Sequence, residues 1–290
     1  MAMDQDHLSQ LMQHFSVKAG VFYTGTLCGI SRFDDPAISS GHLHLLKRGG
    51  LTIIDHCNTH HQFDKPSLIF IPRPSAHSLH PQNNPTSSQN EASPDRASRT
   101  ELVCATVDYG AGTDNLFTTA LPPLMAVPLD QTSPLSAIVE QLFAEAFSQN
   151  PGKKLIIDRL CEILLVLLIR QSIEQQTLDE GMLAGLSHPK LARVLEMLHN
   201  EPDKTYSMEQ LASEAAMSRT VFMESFKSVV GTTPGDYQMR WRIELAQSLL
   251  KKGKALAYVA DAVGYSNRSG FARAFRKVTG MSPSHWLAER

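Results

Sequence analysis

The C-terminal third of the chain contains an internal repeat, and a repeat restricts the possible folds more than any other feature of the sequence. Displaced by 49 residues, Phe222 to Tyr237 (FMESFKSVVGTTPGDY) falls without a gap on Phe271 to Trp286 (FARAFRKVTGMSPSHW). Phe222 meets Phe271, Phe226 meets Phe275, Lys227 meets Arg276, Val229 meets Val278, Gly231 meets Gly280, Pro234 meets Pro283 and Tyr237 meets Trp286. Upstream, Arg219 and Thr220 fall on Arg268 and Ser269. Chemically matched positions at one fixed period mean that each copy is the same supersecondary unit.

Each copy has the pattern of two helices joined by a tight turn. In the first, Ser207 and Gln210 have the spacing of a capping box, and Met208, Leu211, Ala212 and Ala215 lie on one helix face. Met217 and Ser218 turn the chain, with Ser218 placed to cap the next helix. That helix turns Phe222, Phe226 and Val229 inward and stops at Gly231. In the second copy Leu256, Val259, Ala260 and Val263 form the first helix and Gly264 the turn. Phe271, Phe275 and Val278 then form the buried stripe, which ends at Gly280. The opposite faces hold Arg219, Thr220, Met223, Glu224 and Lys227 in one copy and Arg268, Ser269, Ala272, Arg273 and Arg276 in the other. Two helix-turn-helix units are predicted, each with a polar second helix suited to a DNA major groove. The plainer alternative is a pair of helical hairpins in an ordinary core with solvated charges.

Charge favours the DNA reading. The net charge of -2 hides an asymmetry: residues 187–290 carry 15 basic and 10 acidic side chains, and residues 1–186 carry 12 basic and 19 acidic. A basic module at one end of an acidic chain points to nucleic acid. Between the repeats, Thr233-Pro234 starts a helix that runs to about Lys251, ~27 Å at 1.5 Å per residue. Such a connector suits two recognition helices about one DNA turn apart, ~34 Å. Arg240 and Arg242 on it, with Lys251, Lys252 and Lys254 beyond, are expected to neutralise phosphates.

The tandem repeat resembles the DNA-binding domain of the AraC/XylS family of bacterial transcription regulators. The likeness is carried by Gly264-Tyr265-Ser266, Phe271, Ala274-Phe275, Gly280 and Ser282-Pro283, and it covers about residues 189–290. It implies double-stranded promoter DNA as partner, homodimerisation and contact with RNA polymerase. By position it makes Thr220, Met223 and Glu224 in the first helix, and Arg268, Ser269 and Arg273 in the second, the base-facing candidates. Met223 offers only apolar contact and Glu224 only an acceptor, so Arg268 and Arg273 are expected to read most of the sequence. Lys227 and Arg276 are assigned nearer phosphate, and Arg219 is a further DNA-binding candidate.

The front of the chain has a different rhythm. After a short amphipathic helix through Leu8, Leu11, Met12 and Phe15, β-type runs follow at Gly41–Leu46, Leu51–His56, Ser67–Ile71 and Glu101–Tyr109. Residues 81–100 contain almost nothing apolar and are expected to form a disordered loop. From Pro128 onward the period is helical. Ser133-Pro134 opens one helix, and a second, about Lys153 to Gln176, is apolar on most sides, as a core or dimerisation helix would be. Segments HLHLLKRGG, PSLIFIPRPSAHSL, LVCATVDYG and LFTTALPPLMAVPL resemble the cupin-type sensor domain of a subgroup of these regulators. The expected whole is α+β: a cupin-like β-barrel or sandwich with following helices, then an all-α domain of two helix-turn-helix units joined by a long helix. The expected divisions are 1–128 for the sensor, 129–178 for a helical coupling region, 179–188 for a linker with Gly181 and Gly185, and 189–290 for DNA binding.

Seven of the 12 histidines lie between residues 42 and 80. On a strand His42 and His44 share a face, and cupin metal sites place H-x-H before a later histidine in a P-x-G-x-x-H segment. Pro72 to His77 matches that segment with Pro in place of Gly. His42, His44 and His77 are therefore candidate ligands for Zn or another divalent metal that favours imidazole. The carboxylate that usually follows H-x-H is missing, with Lys47 and Arg48 in its region. The rival from another class, a metal-dependent cupin enzyme fused to a DNA-binding module, is disfavoured by that absence. His56, His60, His61 and His80 are taken as solvated loop residues. The resemblance also makes Cys28 and Cys104 redox candidates, because some subgroup members respond to oxidants through cysteines at those places. Neither has a neighbour in sequence that would activate a thiol. Cys161 is expected in the core, and Cys57 has no assigned role. The acidic start, Met1 to Asp6, is not a signal peptide, and no apolar run approaches the ~20 residues that span a bilayer, so a cytoplasmic protein is expected.

Overall fold

The computed structural model describes residues 6–35, 40–82, 99–110, 112–129, 135–175 and 177–288. The chain divides into two compact units: residues 16–113 with 122–171, and residues 1–15 with 114–121 and 172–290.

Among the described residues the first unit contains nine strands. These are β1 (Lys18–Thr26), β2 (Ser31–Phe33), β3 (Gly41–Arg48), β4 (Gly50–Asp55), β5 (His60–Phe63), β6 (Ser67–Ile71), β7 (His77–Gln82), β8 (Glu101–Asp108) and β9 (Met125–Pro128). They form one sheet in the order β1-β8-β3-β6-β9 and a second in the order β2-β7-β4-β5. Every pairing is antiparallel. The alternation of apolar side chains on these strands fills the space between sheets: Leu46, Ile69, Leu102 and Cys104 from the first sheet meet Leu51, Ile53 and Leu79 from the second. Gly49 turns β3 into β4 with φ of 78°, and a Cβ there would lie 2.8 Å from the Arg99 carbonyl, so both conformation and space require glycine. Helices α3 (Ser136–Ala146) and α4 (Lys153–Glu174) follow the strands. The expected cap at Ser133 lies outside the described residues, as do positions 83–98 of the segment expected to be a disordered loop. The edges of that segment are ordered: Pro81 and Gln82 belong to β7, and Thr100 is buried, its hydroxyl donating to the Gly50 carbonyl at 2.8 Å.

The second unit is helical. It contains α1 (His7–His14), α2 (Leu116–Thr119), α5 (Met182–Ser187), α6 (Ala192–Asn200), α7 (Met208–Glu214), α8 (Arg219–Val230), α9 (Pro234–Lys251), α10 (Leu256–Ala262), α11 (Arg268–Thr279) and α12 (Pro283–Ala288). The internal repeat reappears in its packing. The rings of Phe222 and Phe226 meet edge to face at 5.7 Å and 62°, those of Phe271 and Phe275 at 5.6 Å and 61°. Phe226 then meets Tyr237 at 5.7 Å and 77°, and Phe275 meets Trp286 at 5.7 Å and 78°. Such pairs add ~0.5–1.5 kcal/mol each beyond simple burial. Both second helices end on a left-handed glycine, Gly231 and Gly280, each with φ of 80°. The capping box joins Ser207 and Gln210 as the spacing predicts, and Ser218 and Asn267 cap α8 and α11.

Two divisions differ from the sequence expectation. Residues 179–188 are no linker, because α5 occupies most of them and buries Met182 and Leu183. A Cβ on Gly185 would stand 2.5 Å from Leu195 Cδ1 and 2.9 Å from Val230 Cγ2, so this glycine permits close helix packing rather than chain flexibility. Gly181 is similarly placed, with φ of 108° and the Ala120 Cα 2.8 Å from a notional Cβ. The sensor region 1–128 is also not continuous: residues 6–15 and 114–121 pack in the helical unit. Phe15 stacks on Phe117 at 5.5 Å, and His14 and His199 both stack on Trp241, at 4.4 and 3.9 Å.

Candidate functional site

The two repeated helices present different chemistry. On α8, Arg219, Thr220, Glu224 and Lys227 are exposed and Met223 is half-buried. Arg219 faces Glu209 at 2.9 Å, which leaves this surface close to neutral. On α11, Arg268, Ser269, Arg273 and Arg276 are all exposed, while Phe271 and Phe275 hold the other side in the core. Among the described residues no carboxylate pairs with Arg268, Arg273 or Arg276. Three guanidiniums on one face, each with planar paired donors, form a surface matched to guanine edges and phosphate oxygens. At the other end, Asn267 accepts from the Gly270 amide at 2.7 Å and fixes the start of α11.

On the connector α9, Arg240 is partly exposed and is paired with two carboxylates. Its Nη2 donates to Asp114 at 2.9 Å and its Nε to Glu244 at 3.0 Å. Arg242 is likewise occupied, donating to the Lys204 carbonyl at 2.8 Å beside the Tyr265 ring. Glu244 is only 2% exposed and accepts the Leu116 amide on both oxygens, at 3.0 and 3.1 Å. The N-terminal end of α2 is thereby tied to α9. Burial lifts the Glu244 carboxyl to about 7, against the opposing pull of Arg240 and the Leu116 amide. Nothing local in the sequence signals this contact, because its partners are 128 positions apart.

In the sheet unit the three expected histidines do converge. His42 and His44 come from β3 and His77 from β7, so the two sheets contribute to one buried cluster. His77 Nδ1 lies 2.7 Å from the Ser75 carbonyl, His77 Nε2 3.0 Å from His44 Nε2, and His44 Nδ1 3.1 Å from Cys104 Sγ. One proton arrangement satisfies this chain: His77 Nδ1–H donates to Ser75, His44 Nε2–H donates to His77 Nε2, and the Cys104 thiol donates to His44 Nδ1. Burial supports the same neutral state. It lowers His42 to about 4, lowers His44 and His77, and pushes the Cys104 thiol well up. His42 Nδ1 is buried and lacks a hydrogen-bond partner. Phe33 stacks on His77 at 4.8 Å, and a cleft of about 250 Å³ lined by Phe33, Asp34, Asp35, His42 and Pro74 opens onto the cluster. Lys47 and Arg48 pair with Glu101, whereas the acidic groups beside His42 are Asp34 and Asp35, which lie before the H-x-H segment rather than after it.

The cysteines are all free thiols. Cys28 and Cys57 are exposed, and Cys104 and Cys161 are buried. The high position of the Cys104 thiol works against a reactive thiolate there. Among the described residues no helix is long and apolar enough to cross a membrane.

Comparison with known proteins covers both units. A family model described as a cupin matches residues 6–174, and one described as a helix-turn-helix domain matches residues 211–289. A putative AraC-like transcription regulator of Streptomyces lividans is 35% identical over 193 residues, 64% of this chain and 62% of that protein. The match thus spans less than two thirds of that relative's length. The RCS-specific HTH-type transcriptional activator RclR of Escherichia coli K12 is 30% identical over 225 residues, 76% of this chain and 74% of its own. A crystal structure of the DNA-binding domain of AdpA with a target DNA is 28% identical, covering 35% of this chain and 93% of that one with a TM-score of 0.34.

Proposed function

The chain belongs to the AraC-type transcription regulators with an N-terminal cupin domain, and from that premise we propose that it binds promoter DNA through α8 and α11. The observation that carries the reading is the unpaired arginine face of α11, beside a paired and nearly neutral α8. A duplex engaged this way has α11 reading bases and α8 mainly fixing position. The reading makes the protein a regulator and not an enzyme, with RNA polymerase as the further partner. Full-length protein titrated with promoter DNA should bind with an affinity that falls steeply as salt rises, because each neutralised phosphate releases counterion. Affinity that is flat in salt, or absent, contradicts the proposal.

The histidine cluster is the proposed input site of the sensor. Neutral imidazoles are the metal-binding form, and the orphaned His42 Nδ1 supplies a lone pair without an internal partner. His44 and His77 already bring two imidazole nitrogens to 3.0 Å, and a divalent cation that favours imidazole would draw the His42 ring toward them and supply Lewis acidity and a fixed charge to the pocket. His44 would turn its Nδ1–H toward Cys104, a contact that orients the ring. Retention of one metal per chain through dialysis, lost in His44→Ala, supports this; retention unchanged in that variant contradicts it.

Dimerisation is proposed through α4, where Leu155, Ile156 and Ile163 stay 62%, 40% and 44% exposed. Large apolar side chains on one exposed helix mark an association surface. Ile163→Asp should reduce the mass measured by sedimentation from dimer to monomer, and an unchanged mass would remove α4 from the interface.

A further inference from the structure

The β4–β5 hairpin carries a second group of chemistry-bearing side chains, separate from the buried histidines and unused by the regulator reading. Asp55 closes β4, and the chain turns through Asn58 (φ 60°) before β5 begins at His60. Asp55 Oδ1 accepts the amides of Cys57 and Thr59, both at 2.9 Å, and Oδ2 lies 3.1 Å from His61 Nε2. Cys57 Sγ is 3.3 Å from His56 Nε2. The donor atoms of Asp55, His56 and Cys57 all lie within 4.8 Å of one another.

We propose that this hairpin tip binds a borderline-soft divalent cation of the Zn²⁺ type, ligated by Asp55, His56 and Cys57, with the fourth position open to solvent. Zn–N and Zn–O bonds of about 2.0–2.2 Å and a Zn–S bond of about 2.3 Å place neighbouring tetrahedral donors roughly 3.4–3.6 Å apart. The Cys57–His56 separation is close to that value. The donors mix sulfur, imidazole and carboxylate, which suits Zn²⁺ and disfavours the all-oxygen cations Mg²⁺ and Ca²⁺.

Two of the three ligands also have an outer contact that aims them. His56 Nδ1 lies 3.0 Å from Ser75 Oγ, so an Nδ1–H donated there leaves the Nε2 lone pair facing Cys57. Asp55 is oriented by two backbone amides and by His61, which acts as a positioning residue, and the same contacts hold its carboxyl at about 2. Binding releases one proton, as Cys57–SH and M²⁺ give Cys57–S–M⁺ and H⁺. With the Asp55 carboxylate, the two ligand charges then cancel those of the cation. Exposure of His56 and Cys57 gives the ion direct entry. Ser75 joins this tip to the buried cluster, since its hydroxyl meets His56 and its carbonyl meets His77.

The test uses the reduced full-length protein titrated with Co²⁺, then Zn²⁺ against a chromophoric chelator. In His44→Ala protein, which removes the competing barrel site proposed above, one equivalent of Co²⁺ should give a thiolate-to-cobalt charge-transfer band that Zn²⁺ abolishes by displacement. Cys57→Ser should eliminate the band and weaken Zn²⁺ binding at least about tenfold, and His56→Gln should weaken it by a similar factor. His44→Ala and Cys104→Ser should leave the band intact. A band that survives Cys57→Ser, or that depends on Cys104 instead, overturns the assignment and moves the ion to the barrel. Absence of any thiolate band rejects the site. These outcomes are independent of DNA binding, which is read separately by titration with promoter DNA.

Discussion

Replacing Arg273 by alanine should weaken binding to the preferred DNA site by ~1–3 kcal/mol and relax sequence preference at the position it contacts. The expectation follows from the chemistry of α11. Arg273 is exposed, lies on the face opposite Phe271 and Phe275, and belongs to a helix whose start is fixed by Asn267. A guanidinium held there can offer two donors to guanine O6 and N7, the commonest specific contact in a major groove. Lys227 on α8 provides the control. It is a flexible point charge beside Met223 and Glu224, so Lys227→Ala should lower affinity for every sequence alike and reduce the salt slope by about one. Competition titrations with matched and mismatched duplexes at several salt concentrations separate the two outcomes. Equal losses on all sequences for Arg273→Ala would move base reading away from α11.

The second large effect is expected at Glu244. Glu244→Ala removes the acceptor of the Leu116 amide and one partner of Arg240 while leaving both groups where they are. Leaving the buried Leu116 amide without its acceptor costs ~1–3 kcal/mol. For a unit of this size that is a drop in melting temperature of roughly 5 °C. The Leu116 amide should also lose its hydrogen-exchange protection. The pH dependence has a defined sign. A carboxyl raised from 4.5 to about 7 on folding keeps its proton in the native state over a range where the unfolded chain has lost it. Its contribution is therefore complete below the unfolded value and declines as pH rises from there through 7. Arg240 moderates the effect without reversing it, and Asp114, a like charge facing the same carboxylate, adds to it. Glu244→Gln should flatten this decline, measured as the difference in melting temperature between variant and parent across that range. Identical pH profiles would show that Glu244 does not titrate there.

This contact holds residues 114–121 on α9 within the helical unit. Residues 114–121 interrupt the sheet unit in sequence, since residues 16–113 precede them and 122–171 follow. A change in the sheet unit is thus continuous along the chain with the segment held on α9. A signal that altered the hold of Glu244 on Leu116 would bias the connector between the recognition helices, which is a coupling between two sites in the thermodynamic sense.

Legibility in the sequence followed the range of each interaction. The repeat was readable as matched positions, because Phe226 with Tyr237 and Phe275 with Trp286 are near in sequence, each pair spanning one glycine-ended helix and the start of the next. The H-x-H spacing similarly put His42 and His44 on one face of a strand, and the later histidine joined them. Gly181 and Gly185 were misread as linker residues because close packing and flexibility select the same amino acid. Only the neighbours Ala120, Leu195 and Val230 distinguish the two. The docking of α2 was not readable, since a carboxylate in the middle of α9 carries no mark of a partner far back in the chain. The carboxylate partners of Arg240 were unreadable for the same reason. His56 was read as a solvated loop residue and Cys57 was given no role, because their place beside Ser75 is set by the pairing of β4 with β7.

The central claim is that one chain places two recognition helices in successive major grooves. Chemical footprinting of the full-length protein on its preferred duplex tests it most directly. Two protected major-groove segments per chain are expected, about 10 base pairs apart on one face of the duplex, with the segment under α11 losing protection in Arg273→Ala. A single protected segment per chain, or protection unaffected by Arg273→Ala and Arg268→Ala together, would contradict it.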